Sequence, residues 1–505
     1  MLIKLNTATV VGINAIPVEV EVDVAKGLPG FHLVGLPVLA VREGAVRIRG
    51  ALDNSDYKVG SMKVTVNLAP ADVRKHGAAF DLPIAVGILA SHEDIELHRP
   101  RLLIAGELSL DGRVKPIRGA LSLAQSARRQ KLDGIVVPRQ NAAEAALVAG
   151  LPVYGVGTLR EAVNLVGGKS RLAPLSSCPL ETGPVRVNSV DFSEVSGQPE
   201  ARRAAEVAAA GGHNLMLFGP PGSGKTMIAR RLATILPPPT MEEAIETTMV
   251  HSVAGLLNGR PLVRERPFRA PHHTCSWAGL VGGGGQPRPG EVSLAHNGVL
   301  FLDELPEFQR HALEALRQPL EDGLVTVVRA RHAVTYPARF MLVAAMNPCP
   351  CGYRGSGVRE CTCGDRQAQR YIGRISGPLL DRFDLFVHVT PTGTRTLMDG
   401  APGESSSDIA ARVQRARERQ QARFRSSRIH CNAQMSARQL RRHVPLAGAS
   451  RSLLEHYAEL HDLSARALHR TCKVARTVAD LEGSDDVTDE HVTMALTLQQ
   501  ARWGG

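Results

Sequence analysis

The chain has 505 residues, 43% of them hydrophobic and 22% charged, with a formal net charge of +11; that is room for roughly two to four domains. No apolar run approaches the ~20 residues that cross a bilayer, and the N-terminal MLIKLNTATV lacks the apolar core and cleavage site of a secretory signal, so the expected setting is cytoplasmic with no membrane partner. Eight cysteines spread over so long a chain exclude a disulfide-stapled secreted scaffold.

Residues 1–170 alternate short β-like runs (VEVEVDV, KVTVNLAP, LLIAGELSL, GIVVP) with helical stretches such as Leu82 to Ala90 and Ala120 to Arg129. This rhythm predicts a domain that buries its own sheet. Residues 171–190 are rich in Pro and Ser and aperiodic, which predicts a linker.

From 191 to 390 a strand–loop–helix rhythm predicts a doubly wound parallel sheet. Leu215 to Phe218 reads as a buried strand and MIARRLATI as the helix that follows it, with GPPGSGKT between them. Gly219, four residues, then Gly224-Lys225-Thr226 fit the phosphate-binding pattern GxxxxGK[ST]. Gly219, Pro220, Pro221, Gly222, Ser223, Gly224, Lys225 and Thr226 are therefore expected to cradle ATP. Free N–H groups and the helix dipole would face the phosphates, Lys225 would reach the β/γ-phosphates and Thr226 would ligate Mg²⁺.

Farther on, GVLFLDEL is an apolar strand that delivers Asp303 and Glu304 at its C-terminal end, where open α/β sheets bind ligands. Asp303 is expected in the Mg²⁺ shell and Glu304 as general base for the attacking water. FMLVAAMN ends at Asn347, whose amide can orient that water without adding charge; the plain alternative is a turn-forming Asn before Pro348. Cys349, Cys351, Cys361 and Cys363 put four thiols in one short loop, a donor set suited to tetrahedral structural Zn²⁺. Free thiols or redox pairs are the alternatives, since the spacing is C-x-C. In SGPLLDRFDLFVHV, Arg382 sits between two acids beside another strand. An arginine supplied by a neighbouring subunit accelerates phosphoryl transfer by about 10³–10⁵, and Arg382 is the candidate. Its other reading is an ion pair with Asp381 or Asp384.

Residues 391–407 are a polar break, and the remainder lacks β-rich runs but shows helical patterns at Arg451 to Leu460 and Ala465 to Leu481, which predicts a helical lid over 391–505. Between Arg412 and Arg442 stand ten arginines against one acid, Glu418. Such a run is either a solvated helix face or a surface for nucleic-acid phosphates.

These motifs together carry a resemblance. DFSEVSGQ, GPPGSGKT, RPFRAPHHT, PRPGEVSLAHNGVLFLDELPEF, RQPLEDG, NPCPCGY, SGPLLDRFDL and SARALHRTCKVARTVADLEG resemble the AAA+ ATPases related to the magnesium-chelatase motor subunit. With the N-terminal region, the set resembles the ComM/YifB family, whose competence-associated member is similar to a hexameric branch-migration helicase. The resemblance implies a homo-hexameric ATPase that moves on single-stranded and branched DNA in homologous recombination and natural transformation. It implies a second sensor on the lid at Arg466, contacting the γ-phosphate, with Arg470 the lesser candidate, and a hairpin at Leu324 to Tyr336 whose Arg329 and Arg331 would hold DNA phosphates; a plain structural ribbon is the alternative. It also implies a mobile loop at Trp277 to Gly290.

AGELSLDGRVKPIRG and RKHGAAFDLPIAVGILA resemble the peptidase domain of Lon proteases, of ribosomal-S5-like α/β fold. At the positions of the catalytic serine and lysine this chain has Ala79 and a site near Leu121, neither of which can act as nucleophile or base. Lys75, His76, Ser109 and Lys115 fall elsewhere, so proteolysis is not expected. The alternative function is a chelatase-type motor that drives metal insertion into a tetrapyrrole.

Overall fold

In a computed structural model, the structure describes residues 1–57, 62–92, 95–175, 190–284, 287–329, 332–357, 359–393, 402–425, 427, 429–446 and 448–500. The fold is mixed α/β, contains a parallel sheet and is helical toward the C-terminus. It divides into two compact units. One comprises Met1–Gly183, Met241–Val263 and Val328–Tyr336; the other comprises Pro184–Thr240, Arg264–Val327 and Pro337–Gly505.

The first unit is built on seven strands: β1 (Ile3–Val11), β2 (Asn14–Lys26), β3 (Gly30–Val34), β4 (Met62–Ala69), β5 (Leu102–Ile104), β6 (Gly134–Pro138) and β7 (Val153–Val156). Their order is β3-β4-β2-β1-β5-β6-β7. The β1–β2 and β2–β4 pairs are antiparallel, and the other neighbours are parallel. Side chains alternate across a strand, so the sheet divides two cores. Leu102, Ile104 and Val136 join one, around the wholly buried helix Asp81–Ser91. Leu103, Ile135 and Val137 join the other, with Leu121 and Ala124 of the helix Ala120–Arg129.

The helix Met241–Ala254 follows the phosphate-loop helix in sequence but belongs to this first unit. Its Met249 and Ile245 enter the second of these cores beside Leu121 and Ala79. Ser252 donates to the Glu144 carboxylate and accepts from Gly119 N–H at 2.9 Å, while Glu144 also accepts from Leu121 N–H at 2.9 Å.

The second unit holds a five-stranded parallel sheet: β8 (Leu215–Phe218), β9 (Phe268–Arg269), β10 (Val299–Leu302), β11 (Met341–Met346) and β12 (Leu385–His388), in the order β9-β10-β11-β8-β12. The central strands are unbroken apolar runs because both faces are covered. The helices Pro199–Gly211, Lys225–Ile235, Ser406–Arg423, Ala465–Glu482 and Asp489–Gln500 contribute to the core around them. The loop expected at Trp277 to Gly290 contains regular structure, and its residues 285 and 286 lie outside the described residues. Ser276 caps a short helix, Trp277–Val281, whose Leu280 and Val281 are buried, and Gly282–Gly283 pairs with Arg288–Pro289. The hairpin at Leu324 to Tyr336 is present as strands Leu324–Arg329 and His332–Pro337.

Candidate nucleotide site

In a parallel sheet every strand ends on the same edge, so residues far apart in sequence meet there. Gly219 follows β8, Asp303 follows β10 and Asn347 follows β11, three adjacent strands. Gly224 begins the helix Lys225–Ile235 at φ 93°, a left-handed conformation that a β-carbon would strain.

The side chains converge. Lys225 Nζ donates to the Gly219 and Pro220 carbonyls at 2.8 Å each and to Asn347 Oδ1 at 3.2 Å. Burial pulls the Lys225 ammonium down to about 8, against the opposing pull of Asp303 and Glu304. Thr226 Oγ1 donates to Asp303 Oδ2 at 2.6 Å. Two cis ligands on an octahedral Mg²⁺ at 2.0–2.1 Å stand about 2.9 Å apart, so this hydroxyl–carboxylate pair fits the ion. The lysine, tied to carbonyls of its own loop, is positioned to exchange them for phosphate oxygens.

Glu304 has a left-handed backbone (φ 51°) and its N–H donates to Asp303 Oδ1 at 2.9 Å. One carboxylate oxygen lies 3.2 Å from His273 Nδ1. His273 sits in the loop after β9, the strand next to β10, and its ring meets Phe308 edge-on. The local sequence pattern gives it no role. Its strand is two residues long, and its partner is distant in the chain; the histidine pair in RPFRAPHHT is the one signal available.

The two arginines meet at another place. Asn214, just before β8, donates through Nδ2 to the Arg382 carbonyl at 2.8 Å, and its N–H donates to Asp384 Oδ2 at 3.0 Å. Since β8 and β12 run parallel with Leu215 opposite Leu385, Arg382 lies at the amino edge of the sheet. The phosphate loop leaves from the carboxyl edge, about 13 Å away over a four-residue strand. Neither Asp381 nor Asp384 is the principal ion partner: Arg382 pairs with Glu321, and Arg466 Nη2 lies 3.7 Å from the same carboxylate oxygen. Burial pulls Arg382 below the usual guanidinium range, as do the charges of Arg466 and Arg317. Arg470 serves the fold, donating to the Asp381 and Phe383 carbonyls at 2.8 and 2.9 Å.

The four cysteines come together, all Sγ atoms within 4.8 Å of one another. Cys349 stands 3.3 Å from Cys351 and 3.7 Å from Cys361, and Cys351 stands 3.6 Å from Cys361. Four thiolates at 2.3 Å around tetrahedral zinc would be about 3.8 Å apart, so the donor set fits.

The basic run divides. Arg412 pairs with Glu206 and Glu404, Arg419 with Asp485 and Arg423 with Asp480, while Arg417 donates to backbone carbonyls. Arg415, Arg425, Arg438, Arg441 and Arg442 are exposed. Arg331 and the side chain of Arg329 lie outside the described residues. In the first unit, Lys75 bonds to the Pro70 carbonyl, and Ser109 to Asp111 and the Arg113 carbonyl. They form no serine–lysine pair.

Three family models match the chain: "Magnesium chelatase, subunit ChlI" over residues 191–397, "Subunit ChlI of Mg-chelatase" over 20–141 and "Magnesium chelatase, subunit ChlI C-terminal" over 403–499. Protein YifB of Escherichia coli (strain K12) is 42% identical over 98% of this chain and 96% of its own length. Competence protein ComM of Haemophilus influenzae is 43% identical over 96% of this chain and 95% of its own length. The chain belongs to the ComM/YifB family. A more distant likeness, 26% identity over 41% of this chain and 25% of the relative, connects this ComM/YifB member to DNA replication licensing factor Mcm6 of Drosophila pseudoobscura pseudoobscura. Among the described residues no helix is long and apolar enough to cross a membrane.

Proposed function

We propose that the protein is an ATP-hydrolysing homo-hexameric motor that moves branched DNA strands in recombination and natural transformation, working in the cytoplasm. The convergence of Lys225, Thr226, Asp303 and Asn347 on one sheet edge carries the ATPase part of this reading. Lys225 and the loop amides bind the β- and γ-phosphates, Thr226 and Asp303 hold Mg²⁺, Glu304 takes the proton of the attacking water and Asn347 orients that water. Bound Mg²⁺ supplies charge neutralisation across the transferring phosphate.

Arg382 acts on the nucleotide of a neighbouring protomer. Its place at the amino edge of the sheet supports this, because its own phosphate loop leaves from the other edge. Arg466 shares Glu321 with it and so acts across the same interface, rather than on the γ-phosphate of its own protomer. The cysteine loop holds structural zinc. The DNA part rests on the names of the relatives ComM and Mcm6 and on the exposed arginines Arg415, Arg425, Arg438, Arg441 and Arg442.

The test is strand exchange on a synthetic four-way junction with ATP and Mg²⁺, with Lys225→Ala as control. ATP turnover stimulated by the junction, and exchange lost in the control, is the expected result. Turnover without exchange across junction designs would sink branch migration and leave the ATPase. The family models named for chelatase favour the second reading, a motor for metal insertion; it requires turnover to respond to chelatase partner subunits and not to DNA.

A further inference from the structure

The described residues from Asn347 to Gly364 form no regular helix or strand, and beyond Cys349 only Gly352 among them is buried. Such a segment has almost no apolar core of its own to hold it. Yet it is joined directly to the nucleotide site. Asn347, which accepts from Lys225 Nζ at 3.2 Å, is two residues before Cys349, and Cys349 is fully buried. Gly352 follows Cys351, closes a turn onto the Cys349 carbonyl at 3.0 Å and adopts φ 85°. A β-carbon on Gly352 would lie 2.5 Å from Pro221 Cδ and 3.8 Å from Asn347 Cγ. The backbone of the cysteine loop is thus in contact with the phosphate loop, with the Asn347 side chain close by.

From this contact we infer that the zinc-loaded cysteine loop is a positioning element for catalysis: it is the rigid abutment that keeps Asn347 and the Pro221 side of the phosphate loop in register. The inference rests on the zinc reading above. With metal bound, four thiolates are fixed and Gly352 is pressed onto Pro221. Without it, four sulfurs crowded within 4.8 Å lose their common ligand. The turn carrying Gly352 then has little to hold it. The Lys225 and Thr226 contacts that bind nucleotide come from β8 and its helix, and the loss should fall on turnover more than on affinity.

The experiment uses the full-length protein and three measurements: zinc content by elemental analysis, ATP turnover, and affinity for a fluorescent ATP analogue. The wild type should carry one zinc per chain, and Co²⁺ substitution should give the absorption bands of thiolate-bound cobalt. The Cys361→Ser/Cys363→Ser double variant alters the two ligands farthest in sequence from Asn347. It should lose zinc and lose kcat on the order of 10²-fold, with nucleotide affinity changed by less than about threefold. Because that variant could unfold locally, Gly352→Val provides the second arm. It keeps all four thiols and is compared with wild type at equal zinc loading, restored by added Zn²⁺ where the strain of a side chain at φ 85° lowers it; kcat should fall, since that side chain must also push Pro221 away.

Metal-free wild-type protein that also binds no Co²⁺ would overturn the zinc reading and the inference with it. Zinc lost from the double variant with kcat unchanged would overturn the inference alone. So would full turnover in zinc-loaded Gly352→Val.

Discussion

Glu304 is held twice, by a left-handed backbone that fixes where its side chain leaves the chain and by His273 at 3.2 Å from one carboxylate oxygen. A general base contributes about 10²–10⁴ in rate, so Glu304→Gln should lower ATP turnover by that order while leaving affinity for an ATP analogue nearly intact. Unchanged turnover would remove Glu304 from the chemistry. His273→Ala should lower kcat about tenfold with KM little changed, because the carboxylate loses the partner that fixes its rotamer. His273→Gln, which retains an amide donor, should recover part of that rate; equal loss in both variants would argue against orientation by hydrogen bonding. The contrast between these two residues marks what the chain discloses by itself. Asp303 and Glu304 are readable because a buried strand that ends abruptly in two acids, downstream of a phosphate loop, delivers charge to the edge where the nucleotide binds. His273 and Glu321 are not, because their importance comes from neighbours brought to them by the sheet and by lid helices.

Among elements, the helix Met241–Ala254 departs most from linear order. It follows the phosphate-loop helix after a run of prolines, yet its Met249 and Ile245 enter the core beside Ala79 and Leu121 in the first unit. Sequence patterning predicts most of the individual strands and helices there, since their period-2 and apolar runs are local. The destination of this helix depends on a buried carboxylate, Glu144, that Ser252 and the Leu121 amide satisfy together. Ser252→Val should therefore destabilise the first unit by about 1–3 kcal/mol, the usual cost of leaving buried polar groups without partners. A lower urea midpoint for the unfolding of that unit would register it; an unchanged midpoint would mean that water replaces the hydroxyl. The same core holds the two positions, Ala79 and Leu121, that the resemblance to Lon proteases singles out. Leu121, near the position of the protease lysine, is fully buried and apolar, and Ala79 packs against the same core, so Ala79→Ser would find no lysine there and should show no peptidase activity.

At the scale of the whole molecule, the decisive feature is that the candidate nucleotide-binding groups and the two candidate activating arginines lie at opposite edges of one sheet. A head-to-tail ring turns that separation into contact, since each protomer then presents its arginine edge to the phosphate loop of the next. Mixing two inactive variants tests the geometry. In rings reassembled from equal amounts of Lys225→Ala and Arg382→Ala protomers, a site is complete when its own lysine and its neighbour's arginine are both intact, which random assembly gives in about a quarter of sites. Turnover near that fraction of wild type is expected, against almost none from either variant alone. Arg466→Ala mixed with Lys225→Ala should recover in the same way, because Arg466 meets Arg382 at Glu321. Recovery with Arg382→Ala but none with Arg466→Ala would return Arg466 to the nucleotide of its own protomer. Recovery with neither, in rings shown to be mixed, would mean that both arginines work within one chain, and the case for a site completed by assembly would fail.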